Sequence, residues 1–208
     1  MENMSRSDNP RPDWKGWYYS GSAPHWDVPG AYQFITFRLA DSLPQSLLRE
    51  LLREAQSMPA IKQDRFRRRS IEGWLDAGLG CCALAHPDLA AAVRDALLHH
   101  HGRRYRLIAW CIMPNHVHVL IEPRYSLPRI VQTWKSMTTR WMLLHNDRLG
   151  LGVPGRTLWM RDYWDRLVRD EQHFKTAVHY IHQNPVKAGL CASAEQWPWS
   201  SANPGVAE

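Results

Sequence analysis

The chain has 208 residues, of which 44% are hydrophobic and 22% are charged. These proportions are typical of a folded domain and exclude a wholly disordered or collagen-like chain, and the absence of an apolar run of about 18 residues predicts no membrane span. The polar N-terminus resembles no secretory signal, and the four cysteines lack zinc-ribbon spacing. We therefore expect a cytoplasmic protein with free thiols.

The charge balance is basic. Lys and Arg together number 26 against 20 acidic residues, a formal net charge of +6, and 21 of the 26 are Arg. The planar guanidinium suits phosphates and guanine edges, and 11 Trp and 7 Tyr offer stacking surfaces for unpaired bases. The composition fits a nucleic-acid partner and fits equally well a chain that is merely rich in Arg and core aromatics.

The first half of the chain is predicted to hold one strand and several helices. Residues 1–30 show little periodicity and are predicted to form an irregular aromatic arm. The alternating apolar pattern of 31–39 predicts a strand, and a leucine-rich helix follows it. Residues 60–102 are predicted to form a helical insertion, which includes the basic run 65–69.

The second half alternates strands and helices. The predicted elements are strands at 105–113 and 116–122, a helix at 128–145, a strand at 158–164, and a helix at 171–184 that Pro185 ends. This order predicts one α+β domain over 31–190, with a ferredoxin-like antiparallel sheet and helices on one face. Residues 191–208 are expected to form a C-terminal tail.

Two histidines stand out in the second strand of the predicted hairpin. His116 and His118 are separated by one residue, so both side chains face the same side of the sheet. Two converging imidazoles can hold one divalent metal. The same H-x-H spacing occurs at His99 and His101 at the end of a predicted helix, so the spacing alone is weak evidence. The alternative is a pair of exposed histidines without a ligand.

Tyr180 and Asn184 lie one helical turn apart at the edge of the apolar stripe of the last helix. A phenol can act as a nucleophile, and an amide oxygen can bind a metal. In isolation, the alternative is a core tyrosine with its hydroxyl at the rim and a simple helix end before Pro185. Tyr163 is a second candidate nucleophile, but it has no Asn four residues later.

Several segments together resemble the REP-associated tyrosine transposases, a family within the HUH single-tyrosine transposases. The segments that carry this resemblance are MPNHVHVLIEP (113–123), WKSMTTR (134–140), WMRDYWDRLVRDEQHF (159–174) and YIHQNPVKAGL (180–190), with weaker support from ITFRLADSLP (35–44) and WLDAGLG (74–80). The resemblance extends over about residues 17–201.

The resemblance implies a specific chemistry. Tyr180 would be the nucleophile, and His116, His118 and Asn184 would hold Mg²⁺ or Mn²⁺. The substrate would be single-stranded DNA carrying REP hairpins, which are repetitive extragenic palindromes, cut and rejoined through a 5′-phosphotyrosine intermediate. The protein would be cytoplasmic and nucleoid-associated, with no membrane partner, and would act as a monomer or a homodimer.

The candidate DNA contacts are less specific, since each is a basic or aromatic side chain with a solvated surface role as the alternative. These candidates are Trp17, Arg67, Arg68, Lys135, Arg161 and Arg166. Two alternative functions stay open from the sequence. One is a catalytically inactive protein that binds REP or RNA hairpins, and the other is a metallohydrolase that uses the two histidines on a small phosphoester.

Overall fold

The computed structural model describes residues 14–20 and 23–206, which form six strands and five α-helices. The strands are β1 (Gly16–Ser20), β2 (Ala23–Asp27), β3 (Gln33–Arg38), β4 (Tyr105–Ile112), β5 (His116–Pro123) and β6 (Trp164–Leu167). The helices are α1 (Gln45–Gln56), α2 (Ala60–Asp76), α3 (Pro87–Leu98), α4 (Leu127–Leu149) and α5 (Glu171–Lys187).

Four of the strands form one antiparallel sheet in the spatial order β4-β5-β3-β6. Of the four strands in chain order (β3, β4, β5 and β6), β4 pairs with β5, β5 pairs with β3, and β3 pairs with β6. This is the order of a ferredoxin-like sheet, so the predicted α+β class is confirmed. The predicted hairpin is also observed, with the turn at Pro114 and Asn115 between β4 and β5.

The prediction that all helices cover one face of the sheet is wrong. The face that carries Ile35, Val117 and Val119 packs against α3 and α4 in the larger apolar core. The opposite face packs its residues Ala109 and Leu120 against α5. Both faces are covered because β5 has apolar residues on each side, in addition to its two histidines, so neither side can be left to water.

The helical hairpin of α1 and α2 covers the rest of the face that carries α5. Leu51 of α1 and Leu75 of α2 belong to a third apolar cluster, against which Trp164 of β6 packs. Trp164 pairs with Thr36, which pairs with His118, so these three side chains share one face of the sheet. The predicted insertion at 60–102 therefore divides between two places. Helix α2 packs with α1 over the histidine face of the sheet, whereas α3 packs in the larger apolar core.

The segment predicted to be an irregular arm contains the β1–β2 hairpin. Its inward-facing residues are His25 and Asp27, each 1% exposed. Because these buried residues are polar, the hydrophobic pattern does not indicate a strand. Asp27 accepts hydrogen bonds from the backbone N–H of Leu127 (2.8 Å) and the hydroxyl of Ser126 (3.1 Å), so the hairpin caps the start of α4.

Two predicted boundaries differ from the structure. The strand predicted at 158–164 is displaced to Trp164–Leu167, with only an isolated bridge between Leu39 and Trp159 before it. The last helix does not end before Pro185 but continues through it to Lys187. Proline forfeits one hydrogen bond but does not stop the helix here, because Ala188 and Leu190 still donate to the carbonyls of Asn184 and Pro185.

Within the described residues, no helix combines the length and the apolar character needed to cross a membrane. The cysteines Cys81, Cys82, Cys111 and Cys191 are free, as expected.

Candidate functional site

The two histidines of β5 lie side by side on the face covered by α5 and the α1–α2 hairpin. Each is 1% exposed, and their Nε2 atoms are 3.0 Å apart. The shared face follows from the alternation of side chains along a strand, as expected from the H-x-H spacing. The imidazoles therefore converge on one point inside the protein rather than at its surface.

Asn115 fixes the orientation of His116. Its amide nitrogen donates to the carbonyls of Leu75 (3.1 Å) and Leu79 (3.0 Å) at the end of α2. Its Oδ1 therefore faces Nδ1 of His116 at 2.7 Å and must accept that proton. Since the proton of neutral His116 lies on Nδ1, its Nε2 carries a free lone pair directed at His118.

Thr36 of β3 performs the corresponding role for His118. Its hydroxyl lies 2.8 Å from Nδ1 of His118, one strand away in register. A hydroxyl can donate or accept, so His118 can carry its proton on either ring nitrogen. The pair therefore consists of one imidazole with a fixed tautomer and one with an adjustable tautomer.

Both imidazoles are neutral at physiological pH. Burial lowers the pKa of His116 to about 3. Burial, followed by the proximity of His116 and of Lys187, holds the pKa of His118 well below its usual value. Neutral imidazoles are the form that binds metals.

Tyr180 of α5 lies beside this pair. Its ring centre is 5.3 Å from that of His118 and 5.8 Å from that of Phe34, which itself stacks on His118 at 5.5 Å. The Tyr180 hydroxyl and both polar atoms of the Asn184 side chain are buried without a hydrogen bond of ordinary geometry. The amide is still close enough to the phenol to lower its pKa slightly.

Buried polar groups without partners are rare, because each costs about 1–3 kcal/mol. Here the phenol of Tyr180 and the amide of Asn184 share one side of α5, and the Tyr180 ring packs against that of His118. Their clustering fits a site that binds a polar group from outside the chain.

The donor geometry fits a divalent metal. Two ligands at about 2.1 Å from one octahedral ion are about 3.0 Å apart, which is the separation of the two Nε2 atoms. Among the described residues, no cluster of three or more His, Cys, Asp or Glu side chains could hold a metal. The third ligand implied by the resemblance is the Asn184 amide oxygen, which is buried. Two imidazoles and one amide suit Mn²⁺ better than Mg²⁺.

The surroundings of Tyr180 oppose its ionisation. Burial, and then the carboxylates of Glu72 and Asp76 on α2, raise the pKa of the phenol above its usual value. The Lys187 ammonium lies 5.8 Å from the Tyr180 ring centre and 3.2 Å from Asp76 Oδ2. The phenol is therefore protonated at neutral pH.

The sequence of this chain was compared with families of known proteins. A family model described as "Transposase IS200 like" matches residues 95–184, a range that includes the two histidines, Tyr180 and Asn184. Over these residues the chain is similar to the IS200-like transposases.

Two named proteins are similar to it over about half of the chain. A REP-associated tyrosine transposase of Escherichia coli (strain K12) is 26% identical over 105 residues, which is 50% of this chain and 59% of that protein. A protein of Haemophilus influenzae named "Putative REP-associated tyrosine transposase" is 28% identical over 106 residues, which is 47% of this chain and 58% of that protein. The chain thus matches less than two thirds of the length of these relatives.

One solved structure is also similar, that of a REP-associated tyrosine transposase bound to a REP hairpin. It has a TM-score of 0.46 and 19% identity, with 85% of this chain and 79% of that chain covered.

The structure brings together four of the predicted site residues: His116, His118, Tyr180 and Asn184. Tyr163, the competing nucleophile, is 8% exposed, and its hydroxyl lies 2.7 Å from that of Tyr18. Burial and this contact raise its pKa. Tyr163 therefore anchors the N-terminal hairpin.

The predicted DNA contacts are scattered. Lys135 is occupied internally, because its ammonium donates to the carbonyls of Met160, Arg161 and Asp162 at 2.9–3.2 Å. Arg161 is exposed beside it, in a groove along α4. Lys135 is thus better explained as a loop anchor than as a phosphate contact.

The remaining candidates occupy different surfaces. Arg166 is exposed and pairs with Phe34, so it lies on the same sheet face as the histidines. Trp17 is 65% exposed and packs edge-to-face on Trp26. Arg67 is half-buried on α2, and the side chain of Arg68 lies outside the described residues.

Sequence analysis missed three side chains of the site. Asn115 precedes His116 directly, and its position in a tight strand connection could have indicated its role. Thr36 could be found only from the pairing of β3 with β5. Lys187 was missed because the helix was expected to end at Asn184, whereas the extra turn puts Lys187 seven residues after Tyr180, on the same side of α5.

Proposed function

We propose that this chain is a metal-dependent single-stranded DNA endonuclease and strand transferase that acts at REP hairpins through a 5′-phosphotyrosine intermediate. The observation that carries the proposal is the pair of buried polar groups without a hydrogen bond of ordinary geometry, Tyr180 and Asn184, near two neutral imidazoles with converging Nε2 atoms. The relation to the IS200-like transposases over residues 95–184 supports the same reaction class.

In this proposal His116, His118 and the Asn184 oxygen hold Mn²⁺ or Mg²⁺. When bound, the metal would polarise a non-bridging oxygen of the scissile phosphate. Asn115 and Thr36 keep the two imidazoles in position, as outer partners of metal-binding histidines generally do. The aromatic ring of Phe34 packs on both His118 and Tyr180 and so fixes the distance between the metal-binding side and the nucleophile.

The reaction exchanges one phosphodiester for another. The phenol oxygen of Tyr180 forms a bond to phosphorus while the bond between phosphorus and the 3′-oxygen of the preceding nucleotide breaks. The proton lost by the phenol is balanced by the proton gained by the released 3′-hydroxyl. Because the phosphotyrosine ester conserves the bond, attack by a 3′-hydroxyl can rejoin strands without ATP.

Burial of Tyr180 sets a requirement for this chemistry. Since burial and two carboxylates keep the phenol protonated, phosphoryl transfer depends on positioning and on cations that stabilise the developing negative charge. The proposal therefore predicts strict dependence on a divalent cation, in addition to dependence on the tyrosine.

The test uses a single-stranded oligonucleotide that carries an intergenic hairpin repeat from the source genome and a different fluorophore at each end. The 5′ label marks the released strand, and the 3′ label marks the fragment joined to Tyr180. Wild type with Mn²⁺ should give a cut strand and a covalent protein–DNA band on a denaturing gel, and EDTA should abolish both. Tyr180→Phe should lose the covalent band, whereas the matched variant Tyr163→Phe should retain it. Cleavage by Tyr180→Phe without the band would instead favour a metallohydrolase.

Tight binding of the hairpin without a cut in any divalent metal would overturn the proposed activity. The protein would then be a catalytically inactive hairpin-binding protein, and a parallel titration with an RNA hairpin of the same sequence would decide which nucleic acid it prefers. The proposal predicts a preference for DNA, because DNA is the strand to be cut.

A further inference from the structure

We propose that Lys187 binds the phosphate at the cleavage site and that Asp76 holds this lysine when no DNA is bound. The inference rests on the proposed function and deepens it by naming the residue that would recognise the reacting phosphate and its resting partner. The ligand class is a phosphodiester of single-stranded DNA.

The position of Lys187 follows from the continuation of α5 through Pro185. Tyr180, Asn184 and Lys187 are spaced by four and three residues, which puts them on one side of the helix. The ammonium lies 5.8 Å from the Tyr180 ring centre and close enough to His118 to lower its pKa. A phosphate held between the histidines and the phenol would therefore lie beside this cation.

The Lys187 side chain is free to change partners. It is 61% exposed, and its ion pair with Asp76 is 3.2 Å long. Because the ammonium itself is exposed, water can solvate it when it leaves the carboxylate, and solvent screening weakens the pair. Lysine binds phosphate as a mobile point charge, which suits a group that must move from one anion to another.

Asp76 is in the opposite situation. Its side chain is 15% exposed, and together with Glu72 it puts negative charge next to the nucleophile. A polyanionic strand that approaches Tyr180 therefore meets the negative charge of Asp76 on α2. When the strand is present, the Lys187 ammonium leaves Asp76 and neutralises the negative charge of the phosphate. Without the strand, it neutralises Asp76. The ion pair thus couples the α1–α2 hairpin to DNA binding.

The test measures binding rather than cutting, in the Tyr180→Phe background. The probe is a fluorescein-labelled single-stranded oligonucleotide with one intergenic hairpin repeat of the source genome, and fluorescence anisotropy gives Kd over a KCl series. Loss of one phosphate contact lowers the slope of log Kd against log[KCl] by about 0.7. Lys187→Met should show this decrease, and Lys187→Arg should restore the slope.

The matched control is Lys175→Met. Lys175 lies on the same helix and also forms an exposed ion pair, with Glu171 at 2.6 Å, but nothing connects it to the site. Its substitution should leave the slope unchanged. Unfolding curves of both variants confirm that the fold is intact, which is expected because both side chains are more than half exposed.

Asp76→Asn tests the resting partner. It should tighten DNA binding by about 1.5–5-fold, the equivalent of one exposed ion pair, and only when Lys187 is present. In a double-mutant cycle the gain should disappear in the Lys187→Met background. An equal gain in both backgrounds would show that Asp76 only repels DNA, and it would overturn the pairing.

The failure of this inference can be distinguished from that of the proposed function. Suppose that wild type forms the covalent adduct and that Lys187→Met leaves the salt slope unchanged. This pair of results would refute the phosphate contact of Lys187 and would still support the proposed enzymatic activity. A wild type that binds no single-stranded probe would refute the proposed function, and the inference would fall with it.

Discussion

Asn115 connects the metal-binding side of the site to the end of α2, and substitution of this residue should change both stability and metal affinity. Asn115→Ala removes the acceptor for Nδ1 of His116 and the donor for two carbonyls. Each buried group left without a partner costs about 1–3 kcal/mol. Since the carbonyl of Leu75 keeps a second hydrogen bond from Gly78, we expect a total loss of about 2–4 kcal/mol in the free energy of unfolding.

The same substitution should weaken Mn²⁺ binding by about 10–100-fold, the usual effect of losing the outer partner of a metal-binding histidine. Asn115→Asp separates the two roles, because the carboxylate still accepts the His116 proton but cannot donate to the carbonyls of Leu75 and Leu79. It should retain most of the metal affinity while losing stability.

Two assays check these expectations. Electron paramagnetic resonance of free Mn²⁺ gives the affinity, and urea unfolding in metal-free buffer gives the stability. Asn203→Ala is a matched control, since Asn203 also makes two hydrogen bonds, to Glu195 and Gly205, but in an exposed turn of the tail. An Asn115→Ala variant that binds Mn²⁺ within twofold of wild type would refute the reasoning about the fixed tautomer of His116.

Three further predictions concern stability, each measured by urea unfolding. Asp27→Ala should lower the free energy of unfolding by about 2–4 kcal/mol, because it leaves the start of α4 without its buried cap; a loss below about 0.5 kcal/mol would contradict this role. Gly80→Ala should cost about 2 kcal/mol or more, since φ is +90° and a Cβ would lie 2.8 Å from the carbonyl oxygen of Asp41. Gly73→Ala on the open side of α2 should instead add about 0.5–1 kcal/mol, and equal effects at the two glycines would refute the argument. Burial lowers the pKa of Lys135 to about 8, whereas the unfolded side chain titrates near 10.4. Between these pH values the unfolded chain binds more protons, so wild-type stability should rise by about 1 kcal/mol relative to Lys135→Met from pH 8 to 10. A constant difference over this range would show that the lysine is not perturbed.

The sequence by itself determined the strand pairing of the β4–β5 hairpin and the order of elements that defines the ferredoxin-like sheet. It did so because period-two alternation and a tight connection are local signals. The same alternation put His116 and His118 on one face, and helical spacing put Tyr180 and Asn184 on one side of α5. Local periodicity therefore predicted which residues could meet.

The tertiary structure alone decided how these residues are enclosed. That α5 covers the histidine face, and that α2 brings Glu72 and Asp76 to Tyr180, depends on packing between segments about 100 residues apart. The β1–β2 hairpin was missed because the buried His25 and Asp27 are polar, so no hydrophobic pattern marks them. Nδ1 of His25 pairs with Asp165, and Ser126 and Leu127 donate to Asp27. These partners lie about 100 residues or more away along the chain, which no local pattern can reveal.

The continuation of α5 past Pro185 was decided in the same way. Proline predicts a helix end because it removes one hydrogen bond, but a buried last turn whose remaining carbonyls are satisfied offsets that loss. This one turn brings Lys187 to the site. Sequence spacing thus predicted which candidate nucleophile and candidate metal ligands could meet. The charges around them depended on the fold, because electrostatic neighbours are set by distance in space rather than along the chain.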